Sequence, residues 1–290
     1  MLVSTYPMVS VLMTAYNREK YIAEAIESVL ASDYQNFELI IVDDCSRDNT
    51  VAIAKKYAEK DCRTKLYINE TNIKQFPNRN KAISYANGLY VVFVDSDDTI
   101  HPDGISRLVK TMTQFPNTSF GMCYYRGDQP VPFLLEGKEA IRKNYFEFPF
   151  LGIGPGSTIL KRQFLLDIGG YPVAYEAAGD MFFNLKACCY SSIVLIPYTF
   201  MEYRVHGEQE LNNPYSYIYN GYLYFKDALK NLPHGLSNVE RDWLLKKNIR
   251  RLVVNIIKYF FKTFNIKKTV KLIKLTNLSF RNICTAIFQK

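Results

Sequence analysis

Three carboxylates, Asp95, Asp97 and Asp98, fall within four consecutive positions of the run YVVFVDSDDTIHPDG (90–104), directly after five apolar or aromatic residues, Tyr90 to Val94. Oxygen ligands at that spacing suit a hard divalent cation, magnesium or manganese rather than zinc, and a cation there could hold a diphosphate. The same letters, DSDD, also describe a solvated turn with an Asx cap. Other polar clusters stand at matching places. Asp43 and Asp44, with Ser46, sit in VDDCSRDNT (42–50) after another apolar run; Thr14, Tyr16 and Asn17 follow a third, and Asn69 and Asn72 a fourth.

These clusters can act together only if the apolar runs end side by side. MVSVLM (8–13), FELIIVD (37–43), KLYI (65–68) and YVVFV (90–94) predict strands. Between them, helical patterns cover 19–31, with Ile22, Ala25, Ile26 and Val29 on one face, then 49–60 behind a capping Asp48, and 78–87. Strand and helix in alternation predict an α/β fold whose mostly parallel sheet is flanked by helices. Ligands of such sheets gather beyond the carboxyl ends of the strands, where all four clusters would lie. The pattern loosens after residue 104. It predicts a helix near 105–115, a strand near 118–124, an irregular Gly- and Pro-rich segment at 126–156, a strand at STIL (157–160), a turn at DIGGYP (167–172), a helix near 180–190 and a strand at IVLIP (193–197). This half extends the sheet and supplies a second wall of the cleft.

At 290 residues and 48% hydrophobic content the chain can bury a proper core. Its six cysteines are scattered without a CxxC pair, which argues against a zinc site or a disulfide framework and for reduced thiols in the cytoplasm. The N-terminus MLVSTYPMVSVLM lacks the features of a secretory signal, and no apolar run is long enough to span a bilayer. Charge is unevenly spread. Residues 241–290 hold 13 Lys or Arg against one acid, Asp242, a net +12, while the other 240 residues carry 23 bases against 27 acids, a net −4. Within the tail, Leu245, Ile249, Leu252, Val253, Ile256 and Phe260 recur at helical spacing with Lys246, Lys247, Arg250 and Arg251 interleaved, and a second basic stretch follows at 266–288. An amphipathic basic helix of this kind predicts attachment to an anionic membrane surface, with packing onto the body or a partner subunit as the alternative. The tyrosine-dense NNPYSYIYNGYLYF (212–225) either packs as a helix against the body or forms part of an acceptor groove.

Taken in order, PMVSVLMTAYNREKYIAEAIESVLASDYQNFELIIVDDCSRDNT, NRNKAISYANGLYVVFVDSDD, IGGYP, AGDMFFNLKA and YRVHG resemble a family 2 glycosyltransferase of GT-A fold over roughly residues 7–207. The resemblance implies a GT-A domain at 1–210, with a nucleotide-sugar-binding half (1–104) and an acceptor half (105–210), followed by a helical region at 211–290 that is basic and amphipathic from 241. It implies that Thr14 and Tyr16 lie at the nucleobase, with the Tyr16 ring able to stack on uracil, that Ala15, Asn17 and Asp43 belong to the same donor-binding set, and that Asp44 accepts a hydrogen bond from the base. Such pairing with a ring N–H favours uridine over cytidine. Arg79 in PNRN matches the basic residue of the family's ARN segment, near the diphosphate or an acidic neighbour, although Asn78 stands where Ala is common. FVDSDD matches the DxD motif. Asp95 and Ser96 would then approach the ribose or orient the loop, Asp97 would bind manganese or magnesium, with Asp98 as an alternative ligand, and His206 would reach the same metal. Asp180 matches the catalytic aspartate, the base that removes the acceptor proton in an inverting transfer; it could also be a plain helix N-cap. Many members have Glu-Asp there, whereas this chain has Gly179-Asp180.

The partners implied are a nucleotide sugar, UDP-linked, and a glycan or lipid-linked acceptor in surface polysaccharide or glycolipid synthesis. The tail would meet an anionic membrane at its cytoplasmic face and no nucleic acid. A catalytically inactive, donor-binding homologue is the alternative from another class. A phosphorylated receiver domain also gathers acids at parallel strand ends, but it is much shorter and needs a late lysine that only Lys161 could supply.

Overall fold

Strands buried on both faces read as nearly continuous apolar runs, and the first two show why these residues form them. In β1 (Val9–Ala15) six of the seven residues are buried, and in β2 (Phe37–Asp43) all seven are. The computed structural model describes residues 6–125, 129–207 and 213–279. Helix α1 (Ile22–Leu30) connects these two strands, and α2 (Thr50–Lys60), β3 (Thr64–Ile68), α3 (Gln75–Tyr85) and β4 (Tyr90–Phe93) complete the first half. After β5 (Thr99–Ile100) come α4 (Gly104–Gln114), β6 (Phe120–Cys123), β7 (Phe133–Leu135), α5 (Gly137–Phe146), β8 (Thr158–Lys161), α6 (Arg162–Asp167), α7 (Gly179–Tyr190), β9 (Ile193–Ile196) and β10 (Met201–Glu202). Three further helices follow: α8 (Pro214–Asn231), α9 (Asn238–Thr263) and α10 (Ile266–Leu275).

The eight-stranded sheet runs β3-β2-β1-β4-β8-β6-β9-β7. Its first four strands are parallel; β8 lies antiparallel between β4 and β6, and β7 is antiparallel to β9 at the edge. Side chains alternate to opposite faces along each strand. Val9, Val11 and Met13 therefore join the layer under α1, α2 and α4, while Leu12, Ile40 and Val42 join the layer under α3, α5 and α7. The α/β architecture with a mainly parallel, helix-flanked sheet is the one expected.

Several elements were not legible. The segment expected to be irregular at 126–156 contains β7 and α5. Gly137, which reads as a breaker, opens α5 because a Cβ there would lie 1.9 Å from the carbonyl oxygen of Cys188 on α7. The glycine is a close approach between two helices. The strands β5 and β10 form a separate antiparallel pair, Met201 opposite Ile100 and Glu202 opposite Thr99, each too short to show a period.

The tail is packed onto the body. Ala228 of α8 lies in the core layer with α5 and α7, and Tyr175 donates a hydrogen bond to Asp227 (3.1 Å). Ser237 and Glu240 cap α9 reciprocally. The stripe expected to face a membrane turns inward: Leu252, Val253 and Ile256 are buried, and Leu252 and Ile256 pack with Tyr259 and Leu272 against Tyr215, Ile218, Tyr219 and Tyr222. Asn248 of α9 donates to the Tyr222 carbonyl (3.0 Å). No helix among the described residues is long and apolar enough to cross a membrane, and Cys45, Cys62, Cys123, Cys188 and Cys189 are free. Cys284 and the end of the basic stretch, from residue 280, lie outside the described residues. Because Leu252 is a core residue, Leu252→Ala should destabilise the protein by about 2–4 kcal/mol in urea unfolding. An unchanged midpoint would show that α9 is detached from the body.

Candidate functional site

The carboxyl ends of β1, β2 and β4 open on a cavity of about 630 Å³ whose far wall comes from α7, α8 and the loop at 152–155. Thr14, Ala15, Tyr16 and Asp44 line one end. Asp44 is held there by three donors, the Asn69 amide (2.8 Å) and the backbone N–H groups of Ile73 (2.8 Å) and Lys74 (2.9 Å). Lys74 adopts φ 74° to aim its N–H, a conformation that costs a non-glycine residue on the order of 1 kcal/mol or more. A carboxylate offers about four acceptor positions, so Asp44 keeps capacity for one more donor. Ser96 donates to the Thr14 carbonyl (2.9 Å) and ties the ends of β1 and β4 together.

Two residues expected at the nucleotide do not line this cavity. Asp43 is fully buried; it accepts from the Ser46 backbone (2.8 Å) and hydroxyl, and burial pushes its carboxyl above the ordinary range. It shapes the loop after β2 from below. Asn17, at φ 52°, accepts from the Arg47 N–H (2.9 Å) and borders a neighbouring recess with Tyr21 and Arg47.

At the centre lies Arg79, 2% exposed, with its Nη2 2.6 Å from Asp95 Oδ1 and its guanidinium over the Phe93 ring. Its Nε and Nη1 are buried without a hydrogen-bond partner, although the side chain borders the cavity. Burial acts to lower its pKa, but Asp95, Tyr171 and Asp180 together outweigh burial and raise it. Asp97 Oδ2 meets His206 Nε2 at 2.9 Å and Arg18 Nε at 3.1 Å, and the His206 ring stacks on Tyr21. Asp98 takes a different partner. It is 1% exposed, accepts from the Arg204 N–H (2.9 Å), and is pushed up to about 7 by burial against that bond. Its carboxyl anchors the segment after β10 that delivers His206.

Among the described residues no three His, Cys, Asp or Glu side chains form a ready cation site. Asp97 and His206 nonetheless fit one. Adjacent ligands of a six-coordinate ion at about 2.1 Å lie about 3 Å apart, close to the 2.9 Å separating Oδ2 from Nε2. Nitrogen and carboxylate oxygen suit manganese or magnesium, with Arg18 now supplying the positive charge on the same oxygen.

Asp180 opens α7 on the opposite wall and is partly exposed to the cavity. Burial pushes its carboxyl up to about 6 against the opposing effects of the Met181 N–H (2.7 Å) and Arg79. A Cβ on Gly179 would stand 2.5 Å from the Phe76 ring, so that ring fills the space where a larger residue would project. Sequence reasoning missed Phe76, Arg18 and the glycines 152 and 154 that border the cavity, whereas Tyr203 stands in YRVHG and Tyr217 in the tyrosine-dense segment expected to pack on the body or form part of an acceptor groove. Only Arg18, next to the Asn17 singled out from the rim, carried any signal.

Residues 10–166 match the model of glycosyl transferase family 2. The chain belongs to that family. A Haemophilus influenzae relative described as an uncharacterized glycosyltransferase is 35% identical over 127 residues, 42% of this chain and 51% of the relative. The GalNAc(5)-diNAcBac-PP-undecaprenol beta-1,3-glucosyltransferase of Campylobacter jejuni is 31% identical over 162 residues, 55% of this chain and 48% of that protein. The chain thus spans about half the length of these curated relatives. In structure it resembles S. aureus TarS residues 1–349, with a TM-score of 0.70 at 23% identity over 97% of this chain and 81% of TarS. A Pyrobaculum calidifontis mannosyltransferase, solved with GDP-Man and Mn2+, gives 0.66 at 16% identity over 99% and 85%. At these identities the likeness shows a shared GT-A fold.

The raised carboxyl of Asp180 has a consequence for stability. With a folded pKa of about 6 against an ordinary 3.8, the folded state holds a proton that the unfolded chain releases. Stability is therefore lost as pH rises from about 4 through 6. Asp180→Asn should be more stable than the parent at pH 8, on the order of 1–2 kcal/mol after screening by cavity water, and equal to it below about pH 4. Urea unfolding at both pH values checks this; equal stability at pH 8 would mean that the carboxylate is well solvated.

Proposed function

We propose that the chain is a metal-dependent, inverting glycosyltransferase of the hexosyl-transferring kind. It moves a sugar from a UDP-linked nucleotide sugar to a glycan or lipid-linked acceptor in surface polysaccharide or glycolipid assembly, at the cytoplasmic face of a membrane. The observation that carries this reading is one cavity bordered by Asp44, the Arg79–Asp95 pair, Asp97 and, across from them, Asp180 with its raised carboxyl. The fold neighbours support the donor class, since TarS has been solved with UDP-GlcNAc and with UDP, and the mannosyltransferase with GDP-Man and Mn2+. The name of the Campylobacter relative supports a lipid-linked acceptor.

In this reading Tyr16 stacks on the base and Asp44 accepts the uracil N–H. The orphaned Nε and Nη1 of Arg79 offer charged donors toward the diphosphate, which also orients against the Asp95 loop. Asp97 and His206 would hold the divalent cation, which would supply positive charge toward the departing diphosphate. The ionised Asp180 takes the proton of the acceptor hydroxyl while that oxygen forms its bond to the anomeric carbon. The bond from that carbon to the diphosphate oxygen breaks on the opposite face, and its electron pair leaves with UDP. A carboxyl poised near 6 is ionised at neutral pH yet more basic than an exposed aspartate, as a general base requires.

Thermal shifts test the donor assignment. UDP should stabilise the protein only with manganese or magnesium present, and Asp97→Ala should abolish the metal dependence. Larger shifts with GDP, or equal shifts in chelator, would refute the base or metal assignment. Asp180→Asn should keep UDP-sugar binding and lose transfer by about 10²-fold or more, and an α-linked donor should give a β-linked product. An active variant or a product of retained configuration contradicts the inverting mechanism.

A further inference from the structure

With its sequence-predicted stripe turned onto α8, helix α9 presents a second apolar seam on its opposite side. Trp243, Lys247, Arg250, Val254, Ile257 and Phe261 recur at alternating spacings of four and three residues, which places them along one helix face. All six are exposed, Trp243 by 48% and Phe261 by 64%. Beyond the helix end, Phe264 (71%) and Ile266 (66%) continue the exposed apolar surface. Large side chains left in water in such a row call for a covering partner. Charge identifies its chemistry: from Trp243 to Ser279 the chain has ten Lys or Arg and no acid. Lys247 lies 4.6 Å from the Trp243 ring, so cation and apolar surface belong to one face.

We infer that this outward face of α9 is the surface by which the chain docks on an anionic lipid membrane, with Trp243, Ile257 and Phe261 entering the headgroup boundary and Lys247, Arg250 and Lys258 meeting lipid phosphates. The inference rests on the membrane reading above and gives it a location different from the stripe read in the sequence. A second copy of the chain is a poor occupant, because two such faces would bring like charges together with no carboxylate between them. A lipid surface supplies both the apolar phase and the negative charge. Each base held at that surface strengthens attachment about fivefold. Helix α8 connects this face to the cavity: Tyr222 of α8 accepts from α9 while Tyr217, on the same helix, lines the cavity wall. A docked chain would meet a lipid-linked acceptor within two helix layers of Asp180.

The chain contains a single tryptophan, and it lies on the inferred face. Its emission should shift to the blue when the full chain is mixed with vesicles of phosphatidylcholine containing about 30% phosphatidylglycerol, and stay unchanged with pure phosphatidylcholine. In flotation the chain should rise with the anionic vesicles and bind less as salt increases. Ile257→Ser with Phe261→Ser leaves the buried side of α9 intact and should weaken vesicle binding at least tenfold; Lys247→Glu with Arg250→Glu should do the same. Lys55→Glu with Lys56→Glu, on α2, should not. The proposal falls if the tryptophan signal is indifferent to anionic vesicles, if the α2 pair weakens binding as much as the α9 pairs, or if the α9 variants instead abolish self-association or nucleic-acid binding. Stabilisation by UDP with manganese, measured on each variant, separates the two readings: vesicle binding lost with UDP binding kept is the expected result, whereas a parent chain that binds vesicles but never UDP defeats the transferase reading alone.

Discussion

A guanidinium buried to 2% exposure constrains everything around it, because an unpaired charge in that position would be prohibitively costly. Arg79 comes from α3, and its partner Asp95 stands at the end of β4, so the ion pair fastens a helix of one sheet face to the rim of the central strand. Around it the same helix supplies Phe76, which closes over Gly179, and Asn80, whose amide accepts from the Tyr171 N–H and donates to its carbonyl, both at 2.8 Å. One helix thereby fixes the donor-side carboxylate and the turn leading toward Asp180. With Nε and Nη1 of Arg79 still unpaired, the arrangement has positive potential in reserve where a diphosphate is proposed to bind.

The rim itself is assembled from bonds far apart in sequence. Ser96 to Thr14 joins two strand ends, Asp98 to the Arg204 N–H joins the acidic loop to the late segment, and β5 with β10 clamps that segment in register. His206 therefore reaches Asp97 through a strand pair and a buried carboxyl. Asp98, which the sequence offers beside Asp97 as a metal ligand, accepts from the Arg204 N–H through one carboxylate oxygen and so holds the backbone two residues before the histidine.

The parallel half of the fold was legible because its strands are buried on both faces and each ends in a polar cluster. The rim residues Thr14, Tyr16, Asp44, Asp95 and Asp97 followed from that rule, and Arg79, Asp180 and His206 from the resemblance. What stayed hidden depends on tertiary contact. Gly137 looks like a helix breaker until the Cys188 carbonyl is seen against it, and Phe76 looks like any core aromatic until Gly179 is placed under its ring. Arg18 is 79 residues from Asp97, a distance at which no spacing argument operates. Orientation was the other blind spot: periodicity locates a stripe on α9 without saying which side of the helix meets the protein.

That ambiguity has a physical origin. In α9 the inward set, Leu252, Val253, Ile256 and Tyr259, and the outward set, Val254, Ile257 and Phe261, are both apolar, and bases flank each of them. A helix with apolar side chains nearly all round normally lies inside a protein or within a membrane. Here one side is satisfied by the tyrosines of α8, leaving the other exposed with ten bases and no acid across the region. Stability and surface chemistry are thus divided between opposite faces of one helix. Substitutions that remove the outward side chains need not disturb the packing that holds α8 against the cavity wall.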